Sequence, residues 1–167
     1  MPISARTRGG FAAGVLGMAV LVVASLRGRL RRFVIAEKSM APTLDAGDFV
    51  VAARLDGLPA RGDVVVYPDP LAPEMDLVKR VVGLPGETIV IENGQVHVDG
   101  AVLAEPWADG PTMPDGRWAL QADEVFTLGD ARAISTHDSR ASGPVALSDV
   151  GWRVALRYWP LAAAGRI

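Results

Sequence analysis

Hydrophobic and polar positions follow two different rhythms along the chain. From Gly9 to Leu26 the sequence GGFAAGVLGMAVLVVASL carries no charge, and a run of that length crosses the hydrocarbon core when its flanks snorkel. Ala24-Ser25-Leu26 puts leucine where a cleavable leader needs a small residue. The run is therefore expected to be a permanent transmembrane helix over residues 9–27, after a short tail over 1–8. A buried globular helix is the alternative, since the run is short by transmembrane standards.

Beyond the anchor, short β-type runs are cut by Gly, Pro and Asp, which predicts a β-rich domain over 33–167. Phe33–Ala36 is one run. Gly47-Asp48 and Gly62-Asp63 each turn the chain into a β-branched strand, at 49–51 and 64–66. Leu77–Val82 is a further strand, stopped by Gly83-Leu84-Pro85-Gly86. Thr88–Glu92 and Gln95–Val98 flank Asn93-Gly94, the strongest hairpin signal in the chain, and Asp99-Gly100 turns it again into Ala101–Leu103. Ala104–Ala122, broken by three prolines and two glycines, reads as a long surface excursion pinned by Trp107 and Trp118. Strand Val125–Leu128, a polar loop from Gly129 to Gly143 and a last strand around Trp152–Arg157 follow. Trp152 and Trp159 suit either a bilayer interface or the core.

Composition then acts mainly by exclusion. A formal charge of −2 gives no basic footprint for nucleic acid. The absence of cysteine rules out disulfides, a thiol nucleophile and zinc-thiolate sites. Only His97 and His137 are present, far apart in sequence, so a histidine metal cluster is not expected, and no organic cofactor is implied.

The candidate nucleophile is Ser39, in Lys38-Ser39-Met40-Ala41-Pro42-Thr43-Leu44, where Pro42 forces a bend just past the anchor. A serine near a proline is usually only a turn residue. To attack an amide it needs a base within hydrogen-bond reach. His97 lies in a hairpin strand on the face opposite Val96 and Val98, toward solvent. His137 adjoins Asp138, which suggests a triad, although neighbours in sequence rarely point at each other. Lys79 is the stronger base, because the apolar run Leu77–Val82 is suited to stripping water from its ammonium and lowering its pKa. The plain alternative is a half-exposed strand with Lys79 or Arg80 in solvent.

The ordered set Ser39-Met40-x-Pro42-Thr43-Leu44, Gly47-Asp48, Lys79-Arg80-Val81-Val82-Gly83-Leu84-Pro85-Gly86-Glu87 and Gly129-Asp130 through Asp138-Ser139-Arg140 changes the balance. It resembles the type I signal peptidase family of membrane-anchored Ser-Lys proteases, from the anchor almost to Ile167. The resemblance implies a single membrane helix followed by a domain of coiled antiparallel sheets. It implies that Ser39 is the nucleophile, Lys79 the general base, and the Ser39 backbone N–H an oxyanion donor. Asp138 and Arg140 match the family's structural ion pair, supported by Gly129 and Asp130. Thr136, by its spacing to Asp138, matches the hydroxyl that positions the lysine, with Ser135 as the other candidate. Glu37 stands where some members carry a serine or glycine that helps build the oxyanion hole, and the 129–138 loop is one residue longer than the common form.

The substrates implied are preproteins or propeptides, cut after small residues at −1 and −3, by a monomer seated in the bilayer with its catalytic domain outside the cytoplasm. Arginine counts give the opposite orientation, with Arg6 and Arg8 before the anchor and Arg27, Arg29, Arg31 and Arg32 after it. Two narrower readings stay open. Asp138-Ser139-Arg140-x-x-Gly143-Pro144-Val145, followed by Arg157-Tyr158-Trp159-Pro160, is similar to the compact members that mature nickel superoxide dismutase. A silent membrane-tethered peptide-binding β module is the non-enzymatic one.

Overall fold

The computed structural model describes residues 28–167. The expected anchor over 9–27 and the tail over 1–8 lie outside the described residues. Among the described residues no helix is long and apolar enough to cross a membrane.

Two antiparallel sheets make the domain. The larger runs β1 (Leu30–Val34), β2 (Phe49–Arg54), β11 (Trp152–Trp159), β3 (Val64–Asp69), β4 (Ala72–Gly83), β9 (Glu124–Leu128) and β10 (Val145–Ala146), with β12 (Gly165–Arg166) on β11. The smaller is β7 (Ala101–Val102), β6 (Gln95–Val98), β5 (Thr88–Glu92) and β8 (Gly116–Ala119). A four-residue helix, α1 (Ser139–Ser142), precedes β10.

Local chemistry sets the turns. Gly47 and Gly62 take φ of 90° and 92°, conformations that a Cβ disfavours. The aspartate after each glycine closes its turn by accepting a backbone N–H three residues back: Asp48 from Asp45 at 2.9 Å, Asp63 from Ala60 at 2.8 Å. Asn93 and Gly94 are both at positive φ, 53° and 77°, as a type I′ hairpin requires.

β3 is buried on both faces. Val64 and Val66 enter a core with Met40, Leu44, Val50 and Val154, while Val65 and Tyr67 enter another with Val81, Val125 and Val150. Strands with two covered faces read as continuous apolar runs, and Val64-Val65-Val66-Tyr67 is one. The third core, around Ile89, Ile91, Phe126 and Leu128, joins the two sheets.

Two expectations need correction. β1 is Leu30–Val34 rather than Phe33–Ala36, because Arg31 and Arg32 pair with Ala52 and Val51 and extend the strand toward the N-terminus. The Ala104–Ala122 excursion is not wholly irregular, since Gly116–Ala119 forms β8 and pairs with β5. Trp118 draws it in, its ring packing 4.8 Å from that of Phe126 and lying over Gly116, where a Cβ has no room. Trp152 packs edge-on against Phe33 in the core, while Trp159 is half exposed.

Gly83 lies where β4 shifts register against β9. A Cβ there would sit 2.7 Å from Ile89 Cδ1 and 2.8 Å from Phe126 Cβ. Gly83→Ala is therefore expected to lower stability by about 1–3 kcal/mol through overpacking. Gly151→Ala, with open space around its Cβ, should stay within about 0.5 kcal/mol. Urea unfolding midpoints of the two variants check the contrast.

Candidate active site

The site is assembled from three segments. The first is the turn between β1 and β2. Ile35 N donates to Asp48 O and Gly47 N to Ile35 O, which closes 35–48 at its neck. Met40 and Leu44, both fully buried, are its apolar anchors, and Leu44 N donates to Met40 O at 2.8 Å. Arg157 fastens the far side by donating to Thr43 O at 3.0 Å and Asp48 Oδ2 at 2.8 Å. Ser39 is thereby held between a buried methionine and the exposed Lys38. Its carbonyl accepts from Ala131 N at 3.1 Å, while its N–H makes no hydrogen bond among the described residues.

The second segment is β4. Lys79 Nζ lies 2.7 Å from Ser39 Oγ. Register places Lys79 opposite Val65, and strand alternation puts Leu77 and Val81 on its own face. The side chain is 3% exposed, and burial lowers its pKa below the usual lysine range, outweighing the carboxylates of Asp138, Glu37 and Asp69. Arg80 is 6% exposed, so neither basic residue of this strand is in solvent. Arg80 instead forks onto Asp130 at 2.8 and 2.6 Å, donates to Gly62 O and Thr43 Oγ1, and has its guanidinium 4.8 Å from the Trp107 ring.

The third segment is the loop from Gly129 to Asp138. A Cβ on Gly129 would collide with the Ser135 side chain and lie 2.6 Å from Ser39 O, so only glycine lets this loop and the Ser39 turn meet. Asp138 accepts from Arg140 at 2.9 and 2.8 Å, from Ser135 Oγ at 2.7 Å and from Gly129 N at 3.1 Å. Burial pushes its carboxyl up, but the bonds from Arg140 and Ser135 outweigh that and hold it below the usual carboxylate range. Arg140 also donates to the carbonyls of Met113, Arg132 and Ser135. Arg132 is buried and forks onto Glu105.

Ser135 and Thr136 have separate fates. Ser135 is buried on Asp138, whereas Thr136 is exposed at the cleft wall. His97 belongs to the smaller sheet, 3.9 Å from Glu92. His137 does not pair with Asp138. Its Nδ1 lies 2.7 Å from Asp69 Oδ2, and the ring lines the same cleft as Ser39 and Lys79. Burial pushes the Asp69 carboxyl up, but the bond and charge of His137 together with the backbone N–H groups of Leu71 and Ala72 outweigh it, leaving the pKa lowered.

Sequence reasoning missed the Arg80–Asp130 fork, the Arg157 staple and the Asp69–His137 pair. The one available signal was a second basic residue, Arg80, inside an apolar strand, since a buried guanidinium requires a carboxylate. The cleft of about 220 Å³ is walled by the 34–37 stretch and by Met75–Val78 of β4.

A family profile described as signal peptidase, peptidase S26, matches residues 10–159. A signal peptidase I of Leptolyngbya laminosa is 31% identical over 167 aligned residues, spanning 91% of this chain and 80% of the relative. One of Bacillus caldolyticus is 34% identical, spanning 86% and 87%. Mitochondrial inner membrane protease subunit 1 of Schizosaccharomyces pombe is 33% identical over 73% of this chain and 69% of its own. The crystal structure of a signal peptidase I from Enterococcus faecalis superposes with a TM-score of 0.51 at 25% identity, covering 57% of this chain and 96% of that one. Sequence and fold thus agree that the chain belongs to the type I signal peptidase family, peptidase S26, and is a serine endopeptidase.

Proposed function

We propose that this chain is a membrane-bound Ser-Lys peptidase that removes N-terminal leader peptides from exported preproteins after small residues. The observation that carries the reading is a buried amine of lowered pKa 2.7 Å from one hydroxyl. Unprotonated Lys79 takes the Ser39 proton as Oγ attacks the scissile carbonyl. The resulting ammonium then donates to the departing amine, leaving an acyl-enzyme on Ser39. A water that Lys79 deprotonates hydrolyses the ester, and the proton returns to Ser39 as it leaves. The unengaged Ser39 N–H would serve as one oxyanion donor, a contribution typically about 3 kcal/mol.

The narrow cleft and its apolar 34–36 wall favour small side chains beside the cut. An extended substrate would add to the edge at β1, which leads into Ser39. The anchor over 9–27 would set this cleft at the bilayer. Arg29, Arg31 and Arg32 lie at the start of or within β1. They follow the anchor closely enough to enter the positive-inside count, so the extracytoplasmic orientation proposed here rests on the family reading and runs against that count.

Ser39→Ala and Lys79→Met should each reduce preprotein cleavage by about 10³-fold or more, because nucleophile and base act as one unit. Cleavage in detergent with sequencing of the product N-termini checks this.

The rate at limiting substrate should rise with pH through the lowered Lys79 pKa, since below it the ammonium accepts no proton. Removing the Glu37 carboxylate, which favours the charged lysine, should move that acid limb to lower pH. A kcat/KM profile of Glu37→Gln against wild type checks the sign.

Ser135→Ala should cost about 1–3 kcal/mol, because it takes a donor from buried Asp138. Thr136→Val, at an exposed hydroxyl, should stay within about 0.5 kcal/mol. Thermal unfolding of both variants separates the two hydroxyls.

A further inference from the structure

Glu37 stands two residues before the nucleophile, on the wall of the cleft that holds Ser39 and Lys79. It is exposed and makes no hydrogen bond or ion pair among the described residues. A carboxylate cannot serve an oxyanion hole, since it would repel the charge that develops there. Within the cleft it is free to meet a substrate side chain. Asp76, also exposed, lines the cleft from β4. The remaining charged groups of the lining are His137, tied to Asp69, and Lys79, which must be neutral to act as a base. With Lys79 neutral, Glu37 and Asp76 give the lining an acidic excess, while the exposed Lys38 lies outside it.

We propose that Glu37 is a specificity-determining residue that selects substrates carrying a lysine or arginine at one position close to the scissile bond. This rests on the Ser-Lys peptidase reading and narrows its substrate class. A peptide bound extended sends successive side chains to opposite sides, so the preference is confined to one position and absent at its two neighbours. Complementary charge raises kcat/KM for the matched peptide and penalises an acidic one, because a like charge brought against Glu37 loses hydration without gaining a partner.

The test uses the full chain in detergent and internally quenched peptides with alanine fixed at −1 and −3. Lysine, alanine or glutamate is placed in turn at each other position from −5 to +3. At one position the wild type is expected to cleave the lysine peptide about tenfold better than the alanine peptide and the glutamate peptide about tenfold worse. The lysine-to-glutamate ratio should collapse toward one in Glu37→Gln and invert in Glu37→Arg. In the wild type it should fall as sodium chloride is raised from 50 to 500 mM, a measurement that needs no variant to fold. A flat response at every position while alanine peptides are cleaved overturns the proposal alone, as does a ratio that survives in Glu37→Gln. A wild type that cleaves no peptide overturns the peptidase reading and this proposal with it.

Discussion

The structure depends on keeping one amine dry beside one hydroxyl. Burial is the largest influence on the Lys79 amine and lowers its pKa, because loss of water disfavours the ammonium. That is why Lys79 lies on β4, between β3 and β9 in the larger sheet, opposite Val65 and with Leu77 and Val81 beside it. A loop position would leave the amine hydrated and protonated. Ser39 comes to the lysine from outside the sheet, on a turn pinned by Met40 and Leu44 in the core and by Arg157 at its back.

The same dryness creates the problem that four arginines solve. Arg80 follows Lys79 in the stretch of β4 that is buried on both faces, and a guanidinium does not escape its charge by losing a proton. It is paired with Asp130 and stacked near Trp107. Arg132 with Glu105, Arg140 with Asp138 and Arg157 with Asp48 repeat the arrangement, and each adds backbone carbonyls as further acceptors. Such pairs contribute little net stability against a hydrophobic alternative. What they supply is fixed geometry: planar guanidinium contacts, bidentate for Arg80, Arg132 and Arg140, clamp the segments around Ser39.

What could be read from the sequence divides along the same line. Asn93-Gly94, the two Gly-Asp turns and the apolar β3 and β4 runs are local signals, and the elements they announce are present within a few residues. β8 was hidden among prolines because its cause, Trp118 on Phe126, is a contact across eight positions and between two sheets. The proximity of Ser39 and Lys79 rested on the ordered motifs, since nothing in either segment alone distinguishes them from a turn and a strand. The partner of His137 was illegible for the opposite reason. Asp138 is adjacent in sequence, but its carboxylate is already filled by Arg140, Ser135 and Gly129, so the imidazole turns across the cleft to Asp69.

The Asp138–Arg140 pair ties down the loop, and its position gives it an electrostatic effect as well. An isolated carboxylate this near Lys79 would favour the ammonium, and Asp138 is the largest of the acidic influences on that amine. Arg140, in direct contact with Asp138, acts on the lysine with the opposite sign. Viewed from Nζ the two partly cancel, Arg140 having the smaller effect, and burial remains the largest influence on the amine. The ion pair thus lets the loop close over Lys79 with less of the charging effect that an unpaired aspartate would have there.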